Sequence, residues 1–262
     1  MRLKLLLQYS GHGLYGWQAQ AKPRKLPTVQ GHLIDAFKKL KVGTVEPVAA
    51  GRTDAGVHAL AQTVHVDVPK RMELIKYLGG LNRFLPHSIR VIRVAEVTEK
   101  FHARFSAQNR SYRYLIYNGR NLPPHLKGHV GHAIKPLQFT DMQKALAKLP
   151  LGEHDFSAFR DSECQAVSPL CRILSRKLTR VKDPLGTPLI AFDISADHFL
   201  HHMVRNIVGT LAEVGEGKRD TNNLLQVLKG KDRRAAGLNF SPDGLYFVGV
   251  SYPKHKELGF ID

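Results

Sequence analysis

The sequence predicts an α/β (α+β) fold of two β-α-β-β-α-β halves, ferredoxin-like, with antiparallel sheets joined around a basic cleft. Three observations predict it. Hydrophobic periodicity switches between two and about 3.6 residues in the same order twice along the chain. The two runs meet near residue 106, giving halves 1–106 and 107–262. A chain of 262 residues, 43% of them hydrophobic, is long enough to bury a core in each half.

In the first half, Leu3, Leu5, Leu7 and Tyr9 alternate as one face of a strand. Thr28 is a candidate N-cap. Val29, Leu33, Ala36, Phe37 and Leu40 then recur at helical spacing, and Gly43 ends the run. Residues 45–50 read as a short apolar strand. Val64, Val66 and Val68 alternate with Thr63, His65 and Asp67, a strand with one buried face. Met72, Ile75 and Leu78 mark a second helix, and Ile89 to Val97 a fourth strand.

The second half repeats the order. Tyr112 to Tyr117 is a strand and Met142 to Leu149 a helix. Arg172 to Val181 and Leu189 to Ser195 pair across Asp183–Pro188. Phe199, Met203, Ile207, Leu211 and Val214 mark a long helix. A further helix is inserted near Asn222 to Leu228, and Leu245 to Tyr252 closes the set.

The opening Met1–Leu7 stretch lacks the long apolar region and small-residue cleavage site of a leader, so it reads as a strand. No run approaches the roughly eighteen apolar residues of a membrane span. Cys164 and Cys171 are the only cysteines, and their spacing fits neither a metal knuckle nor a redox pair. Two cysteines in such a chain point to a reducing, cytoplasmic setting.

Charge bounds the partner. Lys plus Arg is 39 against 22 Asp plus Glu, a net charge of +17. Such an excess favours a polyanion, because each cation placed on a phosphate releases counterions. The basic residues recur at Lys22–Lys25, Arg104, Arg110, Arg113, Lys177, Arg180 and Lys231–Arg234. Spread in this way they describe a folded basic surface rather than a charged tail.

Residues 51–59 read Gly-Arg-Thr-Asp-Ala-Gly-Val-His-Ala, between two predicted strands. Asp54 and Arg52 thus lie two residues apart in a glycine-bounded loop. A reactive carboxylate at the mouth of a sheet fits this setting, and so does an ordinary Asx-turn with Asp54 capping its own backbone. Local physics alone favours the turn. Tyr112 and Tyr114 share one strand face, with Arg113 on the other. Either a stacking surface for a base or core packing accounts for them. His198, His201 and His202 fall at i, i+3 and i+4 on the predicted long helix, without the Glu of a zinc-protease motif, so no metal is expected. Arg205 sits beside the apolar stripe and needs an anionic partner, for which Asp54 is a candidate. Gly11-His12-Gly13-Leu14-Tyr15-Gly16 fits G-x-G-x-x-G, but a polar, Pro-containing connection follows where a dinucleotide fold opens a helix.

The chain resembles the TruA family of tRNA pseudouridine synthases over nearly its whole length. The likeness rests on Tyr15–Gln18, the Gly51–Ala59 loop, Phe101–Ser106, Tyr112–Tyr114, Gly152–Phe156, His201–Gly209 and Gly244–Tyr246. It departs at Tyr9-Ser10-Gly11, where the family usually has Tyr-Asp-Gly. The resemblance implies the pseudouridine synthase fold, with Asp54 as the catalytic aspartate. It implies that Arg52 displaces the target base, Tyr112 stacks on the flipped uridine, Arg205 pairs with the aspartate and Leu245 packs beneath the base. It further implies uridine 38, 39 or 40 of the tRNA anticodon stem-loop as substrate, a homodimer, and no cofactor or metal. A base-excising RNA glycosidase and a non-catalytic RNA-binding protein are the competing readings.

Overall fold

The computed structural model describes residues 1–20 and 26–253. The basic cluster Lys22–Lys25 therefore lies outside the described residues. The chain forms two compact units. One is Met1–Arg110 together with the chain from Tyr246 onward, and the other is Ser111–Leu245.

The first unit runs β1 (Arg2–Tyr9), α1 (Val29–Lys39), β2 (Val48–Ala49), β3 (His58–Asp67), α2 (Leu74–Phe84) and β4 (Ile89–Val97), in the predicted order. Its strands lie β4-β1-β3, antiparallel, with the short β2 also on β3. The last described strand, β10 (Leu245–Ser251), joins β3 in parallel, Tyr246 opposite His58 and Phe247 opposite Ala59. Thr28 caps α1 as expected, its hydroxyl accepting from the Gly31 amide. Leu3, Leu5 and Leu7 are fully buried with Leu33, Phe37, Val64, Val66, Tyr77 and Leu81. Each such leucine contributes about 2 kcal/mol by leaving water.

The sequence reads β3 as buried on one face only. The structure buries both, because the segment after β4 covers the second face. Lys4, Thr63 and His65 are buried along with Phe101, Ala103 and Tyr252. The Lys4 ammonium lies 5.4 Å from the Phe101 ring centre and 5.1 Å from that of Tyr252, a cation–π site. His65 Nδ1 accepts from the Ala103 amide, and its ring packs on His102 at 4.5 Å.

Burial first, then the neighbouring His102 and Arg2, lower the His65 pKa to about 4, and Asp67 opposes them weakly. Burial also lowers His102. A histidine free in the unfolded chain takes its proton near pH 6.5. The stabilisation from neutral His65 is therefore complete above that pH and is lost as pH falls from about 6.5 to about 4. Urea midpoints measured across this window should fall in the native chain and fall less in His65→Asn, which does not titrate. Parallel losses in the two proteins would count against the assignment.

The second unit holds β5 (Asn109–Asn118), β6 (Gly131–Ala133), α3 (Phe139–Lys148), β7 (Gly152–Asp155), β8 (Leu170–Lys182), β9 (Pro188–Ala196), α4 (Met203–Gly215) and α5 (Asn223–Gly230). Its strands lie β5-β9-β8-β7, with β6 parallel to β5. The β8–β9 hairpin turns where the sequence places it, the Asp183 carboxylate accepting from the Leu185 and Thr187 amides. β6 and β7 are additions to the sequence reading, since three or four residues are too few to display a period.

The long helix differs from its prediction. It begins at Met203, after His202 at φ 60° and ψ 3°, a left-handed conformation that ends helical phase. Phe199, His198 and His201 thus precede the helix, and the three histidines do not share a helical face.

Candidate active site

Asp54 sits half-buried in the loop between β2 and β3, with Arg52 exposed beside it and Thr53 buried between them. The loop is pinned from two sides. From the strands, the Gln62 amide donates to the Gly51 carbonyl at 2.7 Å, and the Tyr9 hydroxyl lies 2.8 Å from Thr53 Oγ1. From the connection after β1, the Trp17 amide donates to the Thr53 carbonyl at 3.0 Å, and the Gly56 amide donates to the Leu14 carbonyl. The Asp54 carbonyl itself accepts from Val57.

These contacts explain the glycine pattern that resembled a dinucleotide loop. Among the described residues no helix lies between Gly16 and Val29, where α1 starts. A methyl group on Gly11 would stand 2.3 Å from the Val57 carbonyl oxygen, and one on Gly16 2.5 Å from that of Thr53. Gly16 also holds φ +77°. The glycines let this connection lie against the backbone of the Asp54 loop. On the β10 side, Tyr246 stacks on His58 at 4.6 Å, and a Cβ on Gly51 would meet the Phe247 ring at 3.1 Å. The loop therefore has little freedom beneath its carboxylate.

In the second unit, β5 alternates as predicted. Arg113 pairs with Asp193 of β9 at 2.7 Å. Tyr114 is fully buried, its hydroxyl donating to the Ser241 carbonyl. Tyr112 is only partly buried, with the Phe199 ring edge-on at 5.1 Å. Arg205, on the first turn of α4, donates from Nε to the Phe240 carbonyl at 2.8 Å. The Phe240 ring in turn meets Tyr114 edge-on. Leu245 is buried and follows Gly244, where a Cβ would stand 2.5 Å from the Gly131 amide nitrogen and the Leu115 carbonyl oxygen. β5 thus gathers Tyr112, Tyr114, Arg205 and the approach to Leu245 in one unit, while Asp54 and Arg52 belong to the other.

Sequence reasoning missed Asp161, whose carboxylate lies 2.7 Å from His202 Nδ1, with His201 stacked on the His202 ring at 3.9 Å. Burial would raise the Asp161 pKa, but the Glu163 amide and then His202 outweigh it and hold it low. Nothing in the spacing of residues forty positions apart announces such a pair. The buried Gln62, on the strand face that carries Val64 and Val66, is a polar signal of the floor of the loop.

A family model described as tRNA pseudouridine synthase matches residues 146–253. Full-length relatives carry the same description. Proteins named tRNA pseudouridine synthase A from Herminiimonas arsenicoxydans and Dechloromonas aromatica are each 44% identical to this chain. The first alignment covers 98% of this chain and 92% of the relative, and the second 97% and 94%. The protein of that name from Bordetella avium is 42% identical, over 100% of this chain and 95% of its own. The chain belongs to the tRNA pseudouridine synthase A family. Within this family member, the segment matched by the family model carries Arg205 and Leu245. Asp54, Arg52 and Tyr112 fall in the part reached by the full-length relatives.

Proposed function

We propose that the Asp54 carboxylate is the group through which this chain isomerises uridine to pseudouridine in tRNA. The reaction breaks the N1–C1′ glycosidic bond, turns the base and rejoins it to C1′ through C5. The C5 proton is lost and N1 gains one, so composition is unchanged. Attack on the base, attack on the sugar and removal of a sugar proton all require an ionised carboxylate held still. The observation that carries the reading is the double pinning of the Asp54 loop, by Tyr9 and Gln62 on one side and Leu14–Trp17 on the other.

The target base must leave its stack before it can react, at a cost of a few kcal/mol. Arg52, exposed two residues from Asp54, takes the vacated place and holds phosphate. Tyr112 stacks on the extruded uridine, with Leu245 beneath it, and Arg205 is the basic partner that the resemblance gives the aspartate. The resemblance supports positions 38, 39 and 40 of the anticodon stem-loop as targets and a homodimer acting in the cytoplasm. Among the described residues, no helix is long and apolar enough to cross a membrane.

The decisive experiment incubates the protein with an unmodified tRNA transcript and maps pseudouridine by carbodiimide-dependent primer stops. Stops in the anticodon arm are expected. Stops only in another arm would break the substrate assignment, and release of free uracil would indicate a glycosidase. Arg52→Ala should weaken tRNA binding and reduce the slope of log K against log salt by about 0.9, one phosphate contact. An unchanged slope would remove Arg52 from the phosphate-binding set.

A further inference from the structure

The floor of the Asp54 loop contains three buried polar side chains: Tyr9, Thr53 and Gln62. Tyr9 lies at the end of the β1 face that carries Leu3, Leu5 and Leu7. A register shift between Leu7 and Tyr9 marks this end of the β1–β3 pairing. Gln62 stands opposite Leu7 on the same face of the sheet. Its amide donates to the Gly51 carbonyl at 2.7 Å and to the Tyr9 oxygen at 3.4 Å. The Tyr9 hydroxyl lies 2.8 Å from Thr53 Oγ1, and either hydroxyl can be the donor.

Phenylalanine, valine and leucine would fill this volume without taking polar groups out of water. Burying such groups is costly unless each is satisfied, and a satisfied network fixes geometry more tightly than apolar contact does. The network grips Gly51 and Thr53, on either side of Arg52 and immediately before Asp54. Burial pushes the Tyr9 pKa up to about 12, against the weaker pull of Thr53 and Gln62, so the phenol stays neutral.

We propose that Tyr9 is a positioning residue for catalysis, acting through Thr53 and Gln62 to hold the Asp54 backbone in its reactive placement. The inference rests on the reading of Asp54 as the catalytic group. Tyr9→Phe keeps the ring and removes the hydrogen bond. Single-turnover pseudouridine formation should slow by about tenfold or more, as expected for a misplaced catalytic group, with tRNA Kd unchanged within about twofold. Thr53→Val should reproduce the loss, and Thr53→Ser should restore most of the rate because the hydroxyl returns. Tyr9→Phe combined with Thr53→Val should be no slower than either alone, since both break one contact.

A lowered melting temperature with an unchanged single-turnover rate would overturn the proposal and leave the network purely structural. Should Tyr9→Phe fail to fold, the Thr53→Val and Thr53→Ser pair decides the matter by the same rates. Asp54→Asn, run alongside, separates the two readings. Retained activity there sinks the Asp54 assignment itself. An inactive Asp54→Asn with a fully active Tyr9→Phe sinks only the positioning role.

Discussion

Asp54→Ala is expected to abolish pseudouridine formation while leaving a folded protein that binds tRNA within about tenfold of the native Kd, roughly 1.4 kcal/mol. Binding to a polyanion comes mainly from the basic surface of a chain with net charge +17, so one lost carboxylate changes it little. Folding should also survive. The backbone bonds that pin the loop use the Asp54 carbonyl and the Thr53 and Gly56 peptides, which alanine retains. Asp54→Asn adds a second test. It keeps the shape but removes the charge, and should be equally inactive if an ionised oxygen is the reagent. A variant that binds tRNA, folds and still forms pseudouridine would transfer the chemistry to another residue.

The second large effect is one of stability. Gly209, in the middle of α4, faces the backbone of residues 237–240. A methyl group there would stand 1.8 Å from the Leu238 carbonyl oxygen, and one on Gly237 would meet the Thr210 nitrogen at 2.7 Å. Hydrogen bonds lock this approach. The Gly237 amide donates to Thr210 Oγ1, Arg233 donates to Asn206 and to the Gly237 carbonyl, and Arg205 donates to the Phe240 carbonyl. Helix propensity alone predicts that Gly209→Ala would stabilise by about 1 kcal/mol. Packing predicts the reverse, because the 237–240 segment must retreat and lose these bonds, at about 3 kcal/mol or more. Thermal unfolding should therefore show Gly209→Ala melting at least several degrees lower. A stabilised variant would mean that the close approach is not as described. Catalysis should fall too, since Arg205 is tied to the displaced segment.

Much of this architecture is legible in the residues. Leu3, Leu5, Leu7 and Tyr9 announce β1, Thr28 announces the start of α1, and the Asp183–Pro188 segment announces the β8–β9 hairpin. Those features are local, set by alternation, capping and turn chemistry within a few residues. What escapes is non-local or conformational. Residues 45–50 read as a strand, but only Val48–Ala49 pair, since nothing local says how far β3 offers a partner. His202 breaks the helix by a left-handed backbone, which the 3.6-residue pattern from Phe199 onward conceals. Both faces of β3 are buried because a segment some forty residues later folds over one of them. The Gly51–Ala59 loop is visible in sequence as a glycine-bounded carboxylate. Its restraint is not visible, because it comes from Tyr9 and Gln62 across the sheet.

The parallel pairing of β10 with β3 has a consequence for biogenesis. Tyr246 stacks on His58 and Phe247 lies under Gly51, so one wall of the Asp54 loop is supplied by residues synthesised only after the whole second unit. At 5–20 residues per second, the nascent first unit waits on the order of ten seconds or more for that wall. During this interval the edge of β3 beside His58 and Ala59 lacks its partner, an opening for mispairing with another strand. The loop that carries Asp54 thus gains this wall only after the second unit has been made.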